Sequence, residues 1–89
     1  MTVLAKMVAA DMEAVAYDRM AAYPTKLLRD RPGFILHVAY PGPSGFYIEE
    51  IWENQDLFEA WLDENVRPNV PAIQHEVIQL HDVVLPAPN

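Results

Sequence analysis

Between residues 34 and 54 the chain carries two runs of alternating β-forming residues, Phe34 to Tyr40 and Phe46 to Glu53, separated only by Pro41-Gly42-Pro43-Ser44-Gly45. Strands joined by so short a loop pair antiparallel, so a β-hairpin anchors whatever fold this chain adopts. The hairpin holds His37, Glu50 and Trp52, two ionisable groups and an indole on strands expected to be largely apolar. Alternation puts Ile35, His37 and Ala39 on one face of the first strand. Phe34, Leu36 and Val38 take the other, which is wholly apolar and is expected to pack on helices. On the second strand Phe46, Ile48, Glu50 and Trp52 share a face. The turn does not set the register, so whether His37 meets Glu50 stays open. If they meet, the carboxylate can orient the imidazole as a general base, or the pair can serve as a polar contact fixing an interface.

The flanking segments complete a pattern. Thr2 to Val8 reads as a strand. Asp11 is a good helix N-cap, and Met12, Val15, Ala16, Met20, Tyr23, Leu27 and Leu28 recur at helical spacing up to Asp30. Pro24 should interrupt that helix by removing a backbone donor. Arg31-Pro32-Gly33 ends it. Asn54 caps a second helix with Leu57, Phe58, Trp61, Leu62 and Val66 on one stripe, stopped by Pro68 and Pro71. His75 to Val84 is the last strand. The order is β-α-β-β-α-β over residues 1–89, a single α+β domain. Such an order makes a ferredoxin-like, four-stranded antiparallel sheet with both helices on one face. Nothing in the chain remains to cover the other face, so a homodimer is expected, closing sheet on sheet.

Composition narrows the function classes. Six basic against 13 acidic residues give a net charge of −7, which opposes binding to nucleic acid. There is no cysteine, so disulfides and thiolate chemistry are excluded. No basic-then-apolar leader and no apolar run of roughly 20 residues occurs, so a cytoplasmic protein without membrane contact is expected. His75 and His81 lie roughly 20 Å apart on an extended strand and cannot share a metal, so no metal site is expected.

Pro32-Gly33-Phe34 leading into a strand, Glu50-Ile51-Trp52-Glu53-Asn54 closing the next, and Phe58-x-x-Trp61-Leu62 in a helix together resemble the dimeric α+β barrel proteins of the antibiotic-biosynthesis-monooxygenase-like group, over roughly residues 3 to 84. The resemblance implies two sheets closing into a barrel across a homodimer, with a cavity between sheet and helices in each protomer. It implies a cofactor-independent enzyme acting on an aromatic or polyketide-like small molecule, monooxygenase-like in its chemistry. Haem-degrading and some cofactor-free members use a Trp at the position matching Trp61, an Asn on the first strand and a His after the second helix. Here Val3-Leu4-Ala5-Lys6-Met7 lacks the Asn and Pro71 stands at the His position, so haem degradation is not expected. The candidate catalytic residues are His37, Glu50 and His75, the last standing in for the missing His. Trp52, Trp61, Phe58 and Tyr23 are the candidate substrate-binding walls, and no cofactor is expected. Two other readings stay open: a polyketide cyclase or isomerase without oxygen chemistry, and a non-catalytic ligand-binding homodimer.

Overall fold

The computed structural model describes residues 1–22 and 24–88. Its elements are β1 (Val3–Ala10), α1 (Ala14–Ala21), α2 (Pro24–Leu28), β2 (Phe34–Gly42), β3 (Gly45–Trp52), α3 (Gln55–Trp61) and β4 (Gln74–Gln79). A π-helical turn, Leu62–Val66, continues α3. The four strands form one antiparallel sheet in the order β2-β3-β1-β4. This is the ferredoxin-like arrangement, with β1 and β3 inside and the hairpin strand β2 and the terminal strand β4 at the edges.

The register sorts the sheet into cross-strand rows that alternate between its faces. One row runs His37–Glu50–Ala5–Val77, the next on the same face Ala39–Ile48–Met7–His75. Val3, Ala5, Met7 and Ala9 are buried on that face of β1, and Phe46, Ile48, Glu50 and Trp52 on that of β3. Against it pack Leu28, Phe58, Trp61, Leu62 and Ile73, so the core is a layer between sheet and helices. The opposite face presents the rows Leu36–Ile51–Leu4–Ile78, Val38–Glu49–Lys6–Glu76 and Tyr40–Tyr47–Val8–Gln74.

The hairpin closes tightly on β1. Gly45 adopts φ +143, and a Cβ there would lie 2.2 Å from the carbonyl oxygen of Ala9, so only glycine fits. Asn54 caps α3 as its type and position foretell, its Oδ1 accepting the Leu57 N–H at 3.0 Å.

Four expectations need correction. Leu36 and Val38 do not pack on the helices; they are 43% and 44% exposed on the bare face, while His37 turns inward with Glu50. A register shift between Phe34 and Leu36 adds to this, because it lets Phe34 also reach the inner side, edge-on to Trp52 at 5.6 Å. Asp11 does not cap α1. It takes φ +59 and its N–H donates to Ser44 O at 3.1 Å, so the helix begins only at Ala14, after Glu13. The helical face also differs: Val15 is 63% exposed, and Tyr17, Met20 and Ala21 are the half-buried positions. Finally, β4 ends at Gln79 rather than Val84, because Gln79, opposite Val3, is the last of its residues with a partner on β1. The break at Pro24 stands, as it opens a separate short helix.

Candidate active site

The site grows from one pair in the register. His37 and Glu50 are direct partners across β2 and β3, so their side chains leave the sheet together on its inner face. The His37 Nδ1–H donates to Glu50 Oε2 at 2.8 Å, and the Trp52 indole N–H donates to Glu50 Oε1 at 3.0 Å. A carboxylate only accepts, so its bond to Nδ1 places the ring hydrogen there and leaves Nε2 of a neutral ring as an acceptor. The Tyr17 hydroxyl donates to that Nε2 at 2.8 Å. Trp52, Glu50, His37 and Tyr17 therefore form one continuous chain of hydrogen bonds, from the centre of the core to the helical layer.

Each link is held by packing. Trp52 is fully buried among Phe34, Phe58 and Trp61, with ring centroids 5.6, 6.3 and 6.4 Å away. Glu50 is 2% exposed, so the indole and imidazole replace the water it gives up. Tyr17 stacks on Phe46 with centroids 4.4 Å apart and planes 8° from parallel. The His37 side chain keeps 21% of its surface exposed. Burial pushes the Tyr17 phenol above its ordinary pKa, and the nearby charges of Glu50 and Asp18 add to the effect.

The relay opens on a cavity of about 40 Å³ between sheet and helices. Met7, Ile48, Trp61 and Val66 give its apolar wall; Tyr17, His37, Glu50 and Asn65 give the polar one. Asn65 and Val66 belong to the π-helical turn, whose wider winding, with Arg67 N–H donating to Leu62 O at 2.9 Å, presents them to the cavity. Outward between α1, α2 and β2 runs an open cleft of about 680 Å³, to which Tyr17, Ala21, Thr25 and His37 also belong.

The candidates from sequence divide clearly. His37 and Glu50 come together on the cavity wall, and Trp61 lines it, with the Arg31 guanidinium 5.5 Å from its ring centroid. Trp52 and Phe58 lie behind, fully buried in the core, and do not reach the cavity. His75 is exposed on β4, 6.0 Å from the Phe58 ring. It sits on the far edge strand, roughly 14 Å across the sheet from β2 at ordinary strand spacing, so it cannot join His37. Tyr23 lies outside the described residues. Tyr17 and Asn65 carried no role in the sequence. Tyr17 was findable, since Tyr17, Met20, Ala21, Pro24 and Leu28 also recur at helical spacing. Among the described residues no group of three His, Asp or Glu side chains could hold a metal ion, and no helix is long and apolar enough to cross a membrane.

No family model and no curated protein matches the sequence. Solved structures do match the fold. SnoaB, a cofactor-independent oxygenase from Streptomyces nogalater, superposes with TM-score 0.64 at 12% identity, covering 93% of this chain and 95% of that one. A monooxygenase from Streptomyces coelicolor in complex with nanaomycin D gives 0.66 at 13% identity, covering 97% and 92%. A haem-degrading protein from Mycobacterium tuberculosis gives 0.65 at 20% identity, covering 94% and 99%. The chain thus has the ferredoxin-like α+β fold of the antibiotic-biosynthesis-monooxygenase-like proteins.

Proposed function

We propose that this protein is a cofactor-independent enzyme that removes a proton from a phenolic or enolisable aromatic or polyketide-like molecule. The observation that carries this reading is the Trp52–Glu50–His37–Tyr17 chain opening on an apolar cavity. Glu50 holds the ring with Nε2 outward. When the substrate O–H or C–H bond breaks, its electron pair stays on the substrate and the proton moves toward Nε2, directly or through Tyr17. A free Tyr17 phenolate is disfavoured by burial and by Glu50 and Asp18, so passage through Tyr17 requires both of its protons to move together. The charge then rests on an imidazolium beside the Glu50 carboxylate. The electron-rich anion left behind is the species that can react with dioxygen. Monooxygenase-like chemistry is the reading favoured by similarity in fold to the Streptomyces oxygenases.

The cavity is far smaller than the roughly 300 Å³ of an ordinary ligand pocket, so the substrate must use the adjoining cleft or displace α1. No residue of α1 is buried, which makes it the part of the layer most easily moved. A homodimer, closing the bare sheet face of one protomer on that of another, completes the proposal. The small cavity also favours a second reading, a ligand-binding homodimer without turnover.

The test is turnover of a panel of polycyclic phenols and β-polyketone esters with oxygen uptake recorded. Wild-type protein should turn over at least one, and His37→Ala should lower kcat by about 10²- to 10⁴-fold, the usual contribution of a general base. Turnover without oxygen uptake would make the enzyme a cyclase or isomerase. An unchanged rate in His37→Ala would remove the relay from the chemistry.

A further inference from the structure

The inner cavity and the outer cleft adjoin, because Tyr17, Ala21, Thr25 and His37 line both. The two differ in chemistry. The inner cavity is closed by Met7, Ile48 and Trp61, while Lys26 and Arg29 line the outer cleft. That placement is unusual in a chain with 13 acidic and only six basic residues. Lys6, Arg31 and Arg67 are paired with Glu76, Glu64 and Asp63. Among the described residues neither Lys26 nor Arg29 makes an ion pair or a side-chain hydrogen bond. One carboxylate, Asp18, also lines the cleft, but it lies on α1 near enough to Tyr17 to disfavour the phenolate, whereas the two cations belong to α2 and the residue following it.

We infer that the ligand of this site is a small aromatic molecule bearing a carboxylate or similar oxyanion, its ring at the junction of cavity and cleft, reaching toward Trp61 as α1 gives way, and its anionic group held by Lys26 and Arg29. The inference rests on the cavity being the binding site, as proposed above. Lysine supplies a point charge and arginine a planar fork, a combination suited to a carboxylate. Asp18 fixes the polarity of binding, since an anion directed along α1 would be repelled. The substrate hydroxyl then falls between cavity and cleft, beside Tyr17 and His37.

Two probes of matched ring size separate the charge from the site: 2-naphthol and 6-hydroxy-2-naphthoate, titrated into the whole protein by calorimetry. The naphthoate should bind about tenfold more tightly at low salt, as two exposed charge contacts allow. Lys26→Gln/Arg29→Gln should bring the naphthoate to the level of the naphthol and leave naphthol binding unchanged. In the wild-type protein about 0.5 M salt should have the same effect, which keeps the test standing if the double variant folds poorly. Equal binding of the two probes, or a preference that survives both the double variant and salt, would overturn the inference while leaving the site intact. Failure of naphthol and naphthoate alike to bind would overturn the inference together with the site.

Discussion

A carboxylate withdrawn from water needs donors in its place, and Glu50, 2% exposed, has one at each oxygen: His37 Nδ1–H at 2.8 Å and Trp52 Nε1–H at 3.0 Å. Glutamine keeps the shape but offers one acceptor and one NH₂ group. With the ring hydrogen still on Nδ1, one of the two donors would face another donor, which costs about 1–3 kcal/mol. The less damaging arrangement gives the carbonyl to Trp52 and the NH₂ to His37 Nδ1. That flips the imidazole tautomer, so Nε2–H donates to Tyr17 and the base is lost. Glu50→Gln is therefore expected to lower Tm by about 4–8 °C per kcal/mol lost and to move the ring hydrogen from Nδ1 to Nε2. Long-range ¹H–¹⁵N NMR of His37 reads the tautomer directly, and an unchanged Nδ1–H would refute this account.

Tyr17 makes a separate prediction through pH. Its folded-state pKa lies above the ordinary 10.0, so the folded protein holds the phenolic proton more tightly than the unfolded chain. The stability this contributes is complete below about pH 10 and is lost as pH rises through the folded pKa. Denaturant unfolding at pH 9 and about pH 11 should show a fall in stability that is smaller in Tyr17→Phe. Tyr40, raised through its hydrogen bond to Glu49, keeps part of the fall in that variant. An identical fall in Tyr17→Phe would mean that the phenol is not held as described.

At the level of elements, local chemistry was legible where one residue decides and illegible where two faces compete. Asn54 is a cap by type and position, and its removal by Asn54→Ala should cost about 1 kcal/mol, visible as a lower denaturation midpoint with an unchanged m-value. Pro24 marks a break for an equally local reason. In β2 both faces are apolar enough to be buried: Leu36, Val38 and Tyr40 on one side, Ala39 and half-buried His37 on the other. Alternation separates the faces but cannot say which meets the helices; pairing with the buried side of β3 decides it. Tyr17 was obscured in the same way, because Val15, Ala16 and Leu27 offered a competing apolar stripe that stays exposed in the folded chain. The π-helical turn that brings Asn65 to the cavity has no signature in Leu62–Val66 itself. The candidate site was thus half legible: His37, Glu50 and Trp61 from pattern and resemblance, Tyr17 from one of two competing stripes that only the fold decides between, and Asn65 only from the fold.

On the scale of the whole molecule, the rows on the outer sheet face are chemically distinct in a way that favours a second copy over water. Leu36–Ile51–Leu4–Ile78 is entirely apolar, Val38–Glu49–Lys6–Glu76 is mostly charged with an ion pair between Lys6 and Glu76, and Tyr40–Tyr47–Val8–Gln74 is largely aromatic, the two tyrosine rings stacked 5.6 Å apart. Leu36, Val38, Tyr40 and Ile78 are each at least 40% exposed, and an apolar patch of contiguous side chains is the mark of an interaction surface. The homodimer proposed above would bury the apolar row, and the charged row beside it would fix how the two sheets cross. A chain of 10.1 kDa should then sediment at about twice that mass at micromolar concentration. Leu36→Glu adds a charge to the apolar row at an edge strand, away from the helical layer, and should yield a folded monomer by sedimentation while leaving the His37 tautomer unchanged. A monomeric wild-type protein would overturn the dimer, and a dimer that survives Leu36→Glu would place its interface elsewhere. Because His37 and Glu50 leave the sheet on the opposite side from Leu36 and Ile51, the proposed dimer and the His37–Glu50 pair would draw on alternate residues of the same two strands, and each should be separable from the other by mutation.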